Sequence, residues 1–176
     1  YRKYLFENAK QSYEEKMFLL YSMDISGIQN FIYTVGESGV LKGLRARSFY
    51  LEIMMEHVVD ELLEKLALSR ANLIYTGGGH CYMLLPNTKD VKNAIAVYEK
   101  ELNAWMMQQF DTALYVASGY APASANELRD EPEGSYSGLY LKISKMIAGK
   151  KAHRYDAAMI RALNKKRHSG DRDCKV

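Results

Sequence analysis

The run MFLLYSMDI, residues 17–25, constrains the fold more than any other stretch of this chain. It is apolar almost without interruption and closes on Asp24, so it reads as a strand buried at the centre of a sheet. The residues after it, SGIQNFIYTV, can open a short helix, with Ser26 as N-cap and Gln29 three positions on at the capping-box spacing. A glycine-punctuated loop, GESGVLKGLRARS, follows. From Leu44 to Leu68 apolar residues recur at helical spacing (Phe49, Ile53, Val58, Leu62, Leu63, Leu66), which predicts a long amphipathic helix. NLIYT and CYMLLP then bracket Gly77-Gly78-Gly79-His80, giving two strands around a glycine-rich tip. Residues 88–110 predict a second long helix capped by Thr88, and ALYVASGYA, 113–121, a fourth strand. An acidic connector, ANELRDEPEGSYS, leads into a helical stretch that runs to Asn164 and breaks near Gly149.

The predicted order is strand, helix, strand, strand, helix, strand, helix. It assigns the chain to the α+β class, as a ferredoxin-like βαββαβ unit with extra C-terminal helices. The first strand is central, and the hairpin tip lies beside its carboxyl end, where the loops of such a sheet meet ligands. The unit is expected over residues 17–163. A polar lead-in over 1–16 precedes it, and the residues from 164 to 176 form a tail with no core to join.

Hydrophobic residues make up 48% of the 176, enough for one domain with a proper core. A net charge of +3 does not demand a nucleic-acid or membrane partner, but Lys and Arg concentrate over residues 142–175, the candidate end for phosphate contact. Cys81 and Cys174 cannot make a disulfide framework. Cys81 reads as a small core residue, and a reducing, cytoplasmic setting is expected. No apolar run approaches the roughly 18 residues of a membrane span, so no membrane partner is expected. The methionines Met54, Met55, Met106, Met107, Met146 and Met159 read as core or subunit interface. The chain starts at Tyr1 and stops at DRDCKV, which reads as a piece of a longer protein.

Chemistry concentrates at the end of the first strand. Behind Asp24, the backbone N–H groups of Ile25, Ser26, Gly27, Ile28 and Gln29 can form an anion site for a triphosphate at a helix start. The plainer alternative is a strand end and a helix cap. His80 has no partner at HxxxH, HxxE or CxxC spacing and reads as a polar residue at a hairpin tip; the four histidines (57, 80, 153, 168) show no ligand spacing. No catalytic residue and no metal site is assigned. Lys142 and Lys145 share a helical face, either solvated or turned to a phosphate.

The element order also resembles the palm domain of nucleotidyl cyclases and polymerases. There one acid ends the first strand and one or two more occupy the hairpin tip, together holding two divalent cations on a nucleoside triphosphate. Here Asp24 supplies the first acid, while Gly79 and His80 stand where the tip needs carboxylates. Three stretches, DISGIQNFIY, LKGLRARSFYLE and NLIYTGGGHCYMLLPNT, resemble one family closely. They look like the first palm, a cyclase-like GGDEF-type domain, of the large subunit of type III-A CRISPR interference complexes (the Csm type).

The resemblance implies a degenerate palm in a larger enzyme. In that family a second palm bears a Gly-Gly-Asp-Asp tip and joins ATP into cyclic oligoadenylates, with magnesium or manganese held mainly there. An HD domain that cleaves single-stranded DNA precedes the first palm, and a zinc-binding linker follows it, so zinc belongs to a downstream module whose first cysteine Cys174 resembles. The implied partners are the second palm, other effector subunits, and guide and target RNA through the complex. By the same resemblance Gly78 and Gly79 leave room for a nucleotide, Arg47 and Ser48 face it, and Lys142 or Lys145 reaches the triphosphate. The expected function is a non-catalytic ATP-binding half of a composite synthase. A pure scaffold for neighbouring subunits and RNA is the alternative, and a stand-alone nucleotidyl cyclase fits worst because two-metal chemistry needs the missing carboxylates.

Overall fold

The computed structural model describes residues 2–34 and 40–165. Two short helices, α1 (Arg2–Glu7) and α2 (Ala9–Glu14), lead into β1 (Phe18–Ser26), α3 (Ile28–Tyr33) and α4 (Val40–Lys65). The hairpin β2 (Leu73–Gly77) and β3 (His80–Pro86) follows, then α5 (Lys89–Phe110) and β4 (Tyr115–Ala123). The chain continues through α6 (Ala125–Leu128), α7 (Ser135–Ala152) and α8 (Ala157–Lys165). One antiparallel sheet has the order β2-β3-β1-β4. This is the ferredoxin-like arrangement, with the MFLLYSMDI run at its centre.

Strand alternation gives β1 two apolar neighbourhoods. Leu19, Tyr21, Met23 and Ile25, with Cys81, Met83 and Leu85 of β3, pack under α4 and α5. Leu20, with Ala117, Ala121 and Ala123 of β4, meets Leu139, Ile143 and Ile147 of α7 on the other face. Each fully buried side chain of this size contributes about 1.5–3 kcal/mol. Gly119 lets α7 lie close: a Cβ there would stand 2.8 Å from the Ile143 carbonyl oxygen. On that face α7 roofs β4 and β1 and leaves β3 and β2 largely uncovered.

Thr88 caps α5 as expected, its hydroxyl accepting from the Val91 N–H. Cys81 is buried in the core, and burial pushes its thiol up to about 12. Three local expectations are corrected. The loop before α4 is helical from Val40, because an interior glycine such as Gly43 costs only about 1 kcal/mol. The core stripe of α4 is Leu51, Met54, Met55, Val58, Val59, Leu62 and Leu63, while Phe49 and Ile53 are 64% and 53% exposed. α7 passes through Gly149 and ends at Ala152, since Ile143 and Ile147 bury its face before that glycine and Lys150 and Lys151 pair with Glu99 and Asp24 after it. The tail, with His168 and Cys174, lies outside the described residues from 166 onward.

Candidate functional site

The carboxyl end of β1 gathers the side chains that can do chemistry. Ser22, Asp24 and Ser26 fall on the α7 side of the strand with Leu20. Asp24 is in register with His80, the first residue of β3. Gly78 and Gly79 have φ of 61° and 80°, the two positive values that a two-residue type I′ hairpin loop requires. That tight turn sets His80 beside β1. Its Nδ1 is 3.6 Å from Asp24 Oδ2, its Nε2 is 3.3 Å from Ser22 Oγ, and its ring meets Tyr82 edge to face at 4.6 Å.

From the roof, Lys151 Nζ comes within 2.9 Å of the same Asp24 oxygen. Ile143, Ile147 and Lys151 follow one another at four-residue intervals, so the stripe that buries two isoleucines delivers the lysine to the strand end. Asp24, His80, Tyr82 and Lys151, with Ile143, Ser144, Ile147 and Ala148, line a cleft of about 210 Å³. Larger cavities, about 370 Å³ between α4 and α5 and about 430 Å³ beside α2, lie away from this convergence of strand end, hairpin and helix.

Burial disfavours the Asp24 carboxylate, but the neighbouring His80 ring and the Lys151 ammonium outweigh it and hold the carboxyl below its ordinary range. Asp24 is therefore an anion near neutrality, matched by an ammonium. Burial pushes the Tyr82 phenol up, so it stays protonated. This donor set does not fit a resident divalent cation. It offers one carboxylate and one imidazole, the carboxylate is already paired with Lys151, and among the described residues no three His, Cys, Asp or Glu side chains cluster.

The sequence-predicted residues divide. Asp24 and the hairpin meet as expected. Ser26 does not cap α3: it is the last residue of β1, its hydroxyl buried without a hydrogen-bond partner, and Gly27 at φ 93° holds the cap position. Gly27 is packed rather than open, since a Cβ there would meet the Ala113 carbonyl oxygen at 1.8 Å. The Ile25 N–H is spent on the Gly79 carbonyl at 2.8 Å, and Gln29 is exposed on α3, a helix of only six residues. Gly78 faces open space, but Gly79 is covered by Ile28, whose Cδ1 lies 2.0 Å from where a Cβ would be. The backbone is bare at Gly79 for packing, not for a ligand.

The basic residues differ most from expectation. Arg47 and Ser48 sit two turns inside α4, not at its start. Arg47 donates to the Phe31 carbonyl, and its guanidinium lies 5.2 Å from that ring, which ties α4 to α3. Lys142 acts on Glu127, which pairs with Lys16 at the opposite end of β1, and Lys145 is exposed outside the cleft. Lys151 is the residue the sequence reading missed. Its signal was available as the four-residue continuation of Ile143 and Ile147.

A family model described as Csm1 subunit domain B matches residues 17–166. The CRISPR system single-strand-specific deoxyribonuclease Cas10/Csm1 (subtype III-A) of Mycobacterium tuberculosis is 46% identical over 189 residues, covering 100% of this chain and 23% of that protein. A Csm1-Csm4 cassette solved in complex with AMPPNP superposes with a TM-score of 0.76 at 33% identity, over 85% of this chain and 21% of that one. A cassette in complex with cA4 gives 0.74 at 33% identity, over 84% and 21%. The chain thus spans about a quarter of the length of the curated relative it matches.

Proposed function

The chain belongs to the Csm1 subunit domain B family of type III-A CRISPR systems, and on that premise we propose that it is a non-catalytic palm that holds ATP by its phosphates. The carrying observation is the Asp24–Lys151 pair at 2.9 Å at the carboxyl end of β1, where the palm resemblance implies a metal acid. An ammonium takes the place of the cation, so a phosphate can be met by Lys151 directly, as a point charge on a flexible stem. Magnesium or manganese then belongs to a second palm of the parent chain, which joins ATP into cyclic oligoadenylates. Related cassettes holding AMPPNP and cA4 support that reading. Single-stranded DNA cleavage, zinc binding and contacts to guide and target RNA belong to other parts of the parent chain and to its complex, in the cytoplasm. No helix among the described residues is long and apolar enough to cross a membrane.

A scaffold role is the second reading. It is favoured by the same ion pair, which is already satisfied within the chain. Titration of ATP into the chain decides between them. Saturable binding without pyrophosphate release, weakened about 10-fold or more (about 1.4 kcal/mol) by Lys151→Ala, is expected of the nucleotide-holding palm. A chain that binds no ATP is a scaffold.

A further inference from the structure

The half of the sheet face that α7 leaves uncovered is aromatic. Register sets Tyr75 of β2 opposite Tyr82 of β3, on the face that carries Ser22, Asp24 and His80. Tyr75 is 52% exposed although it stands on a strand. Its side chain runs along β2 over Gly77, where a Cβ would be 2.7 Å from the tyrosine oxygen. Tyr82 is held from two sides by edge-to-face contacts, at 4.6 Å to His80 and 4.9 Å to Tyr140, so its orientation is fixed before any ligand arrives. Tyr82 also lines the cleft that Lys151 closes. From His80 to Tyr82 is two strand residues, about 7 Å, a spacing that a ribose can bridge between a base and its phosphates.

We propose that Tyr75 and Tyr82 form a stacking platform for the purine ring of the nucleotide whose phosphates Lys151 holds. The inference rests on the phosphate-holding role of the cleft and adds how the base is held. A ring face offers area and no hydrogen-bonding edge, so stacking depends on the tyrosine rings and not on their hydroxyls. Tyr75→Phe and Tyr82→Phe therefore keep affinity, and Tyr75→Ala with Tyr82→Leu loses it.

The test compares ATP with ribose 5′-triphosphate, which lacks the base, by titration into the chain and into the Tyr75→Ala/Tyr82→Leu and double-Phe variants, each checked by circular dichroism. The native chain and the double-Phe variant are expected to bind ATP about 10-fold or more tighter than the baseless triphosphate. In the Ala/Leu variant ATP is expected to bind no tighter than the baseless triphosphate binds to that same variant. Equal affinity of the native chain for both ligands overturns the platform while leaving the phosphate site standing. An ATP advantage that survives in the Ala/Leu variant also overturns it, because the base then sits elsewhere. A native chain that binds neither ligand removes the phosphate site and the platform together.

Discussion

Asp24 is the residue on which the reading turns, and its charge is tied to the fold. Its carboxyl titrates lower in the folded chain than in the unfolded one, where it lies near 3.9. Its stabilisation is therefore full above about pH 4 and is lost as the pH falls through the folded value. Asp24→Asn lacks that contribution. The stability gap between the native chain and Asp24→Asn is expected to be flat near neutrality and to close below about pH 4, read as denaturant midpoints from pH 7 to pH 3. A gap that widens on acidification would show that the pair with Lys151 does not stabilise the fold. At this scale the sequence was half legible. An acid closing an apolar run marks a strand end wherever it occurs, so Asp24 was found. Lys151 shares the four-residue stripe of Ile143 and Ile147 and Lys142 and Lys145 do not, but only the way α7 crosses the sheet shows that this stripe ends at Asp24.

The elements were read better than their ends. β1, the hairpin and α5 carry strong local signals: an unbroken apolar run, a glycine turn between two strands, and a Thr88 cap. The start of α4 and the far end of α7 are set by packing partners distant in sequence, which no local pattern records. α7 depends on one such contact, the approach of Gly119 to the Ile143 carbonyl. Gly119→Val fills that contact with side-chain atoms and must lift the helix, at about 1–3 kcal/mol for an overpacked site. Lys151 sits two turns beyond Ile143 on the same stripe and moves with it. Faster hydrogen exchange across α7 and weaker ATP binding are expected together. Loss of binding with full α7 protection would mean that the roof does not position Lys151.

In the whole molecule the ferredoxin-like frame was legible because the order of apolar runs, glycine turn and long helical stretches is enough to give it. The use of the frame was not, because it is settled by contacts among α3, the hairpin and α7. These contacts also make a carboxylate tip hard to install. Placing acids at the tip as Gly79→Asp/His80→Asp drives one side chain into Ile28, whose Cδ1 lies 2.0 Å from where the new Cβ would be. It also leaves Lys151 on the Asp24 oxygen that a cation would need. Manganese titrated into this double variant, followed by electron paramagnetic resonance, is expected to stay free in solution. Tight manganese binding would show that the tip alone had barred the metal. The consequence is interdependence: Ile28 seals Gly79, and His80 and Lys151 both crowd the Asp24 carboxylate, so a cation site at this strand end would require changes at Ile28, Gly79, His80 and Lys151 in concert.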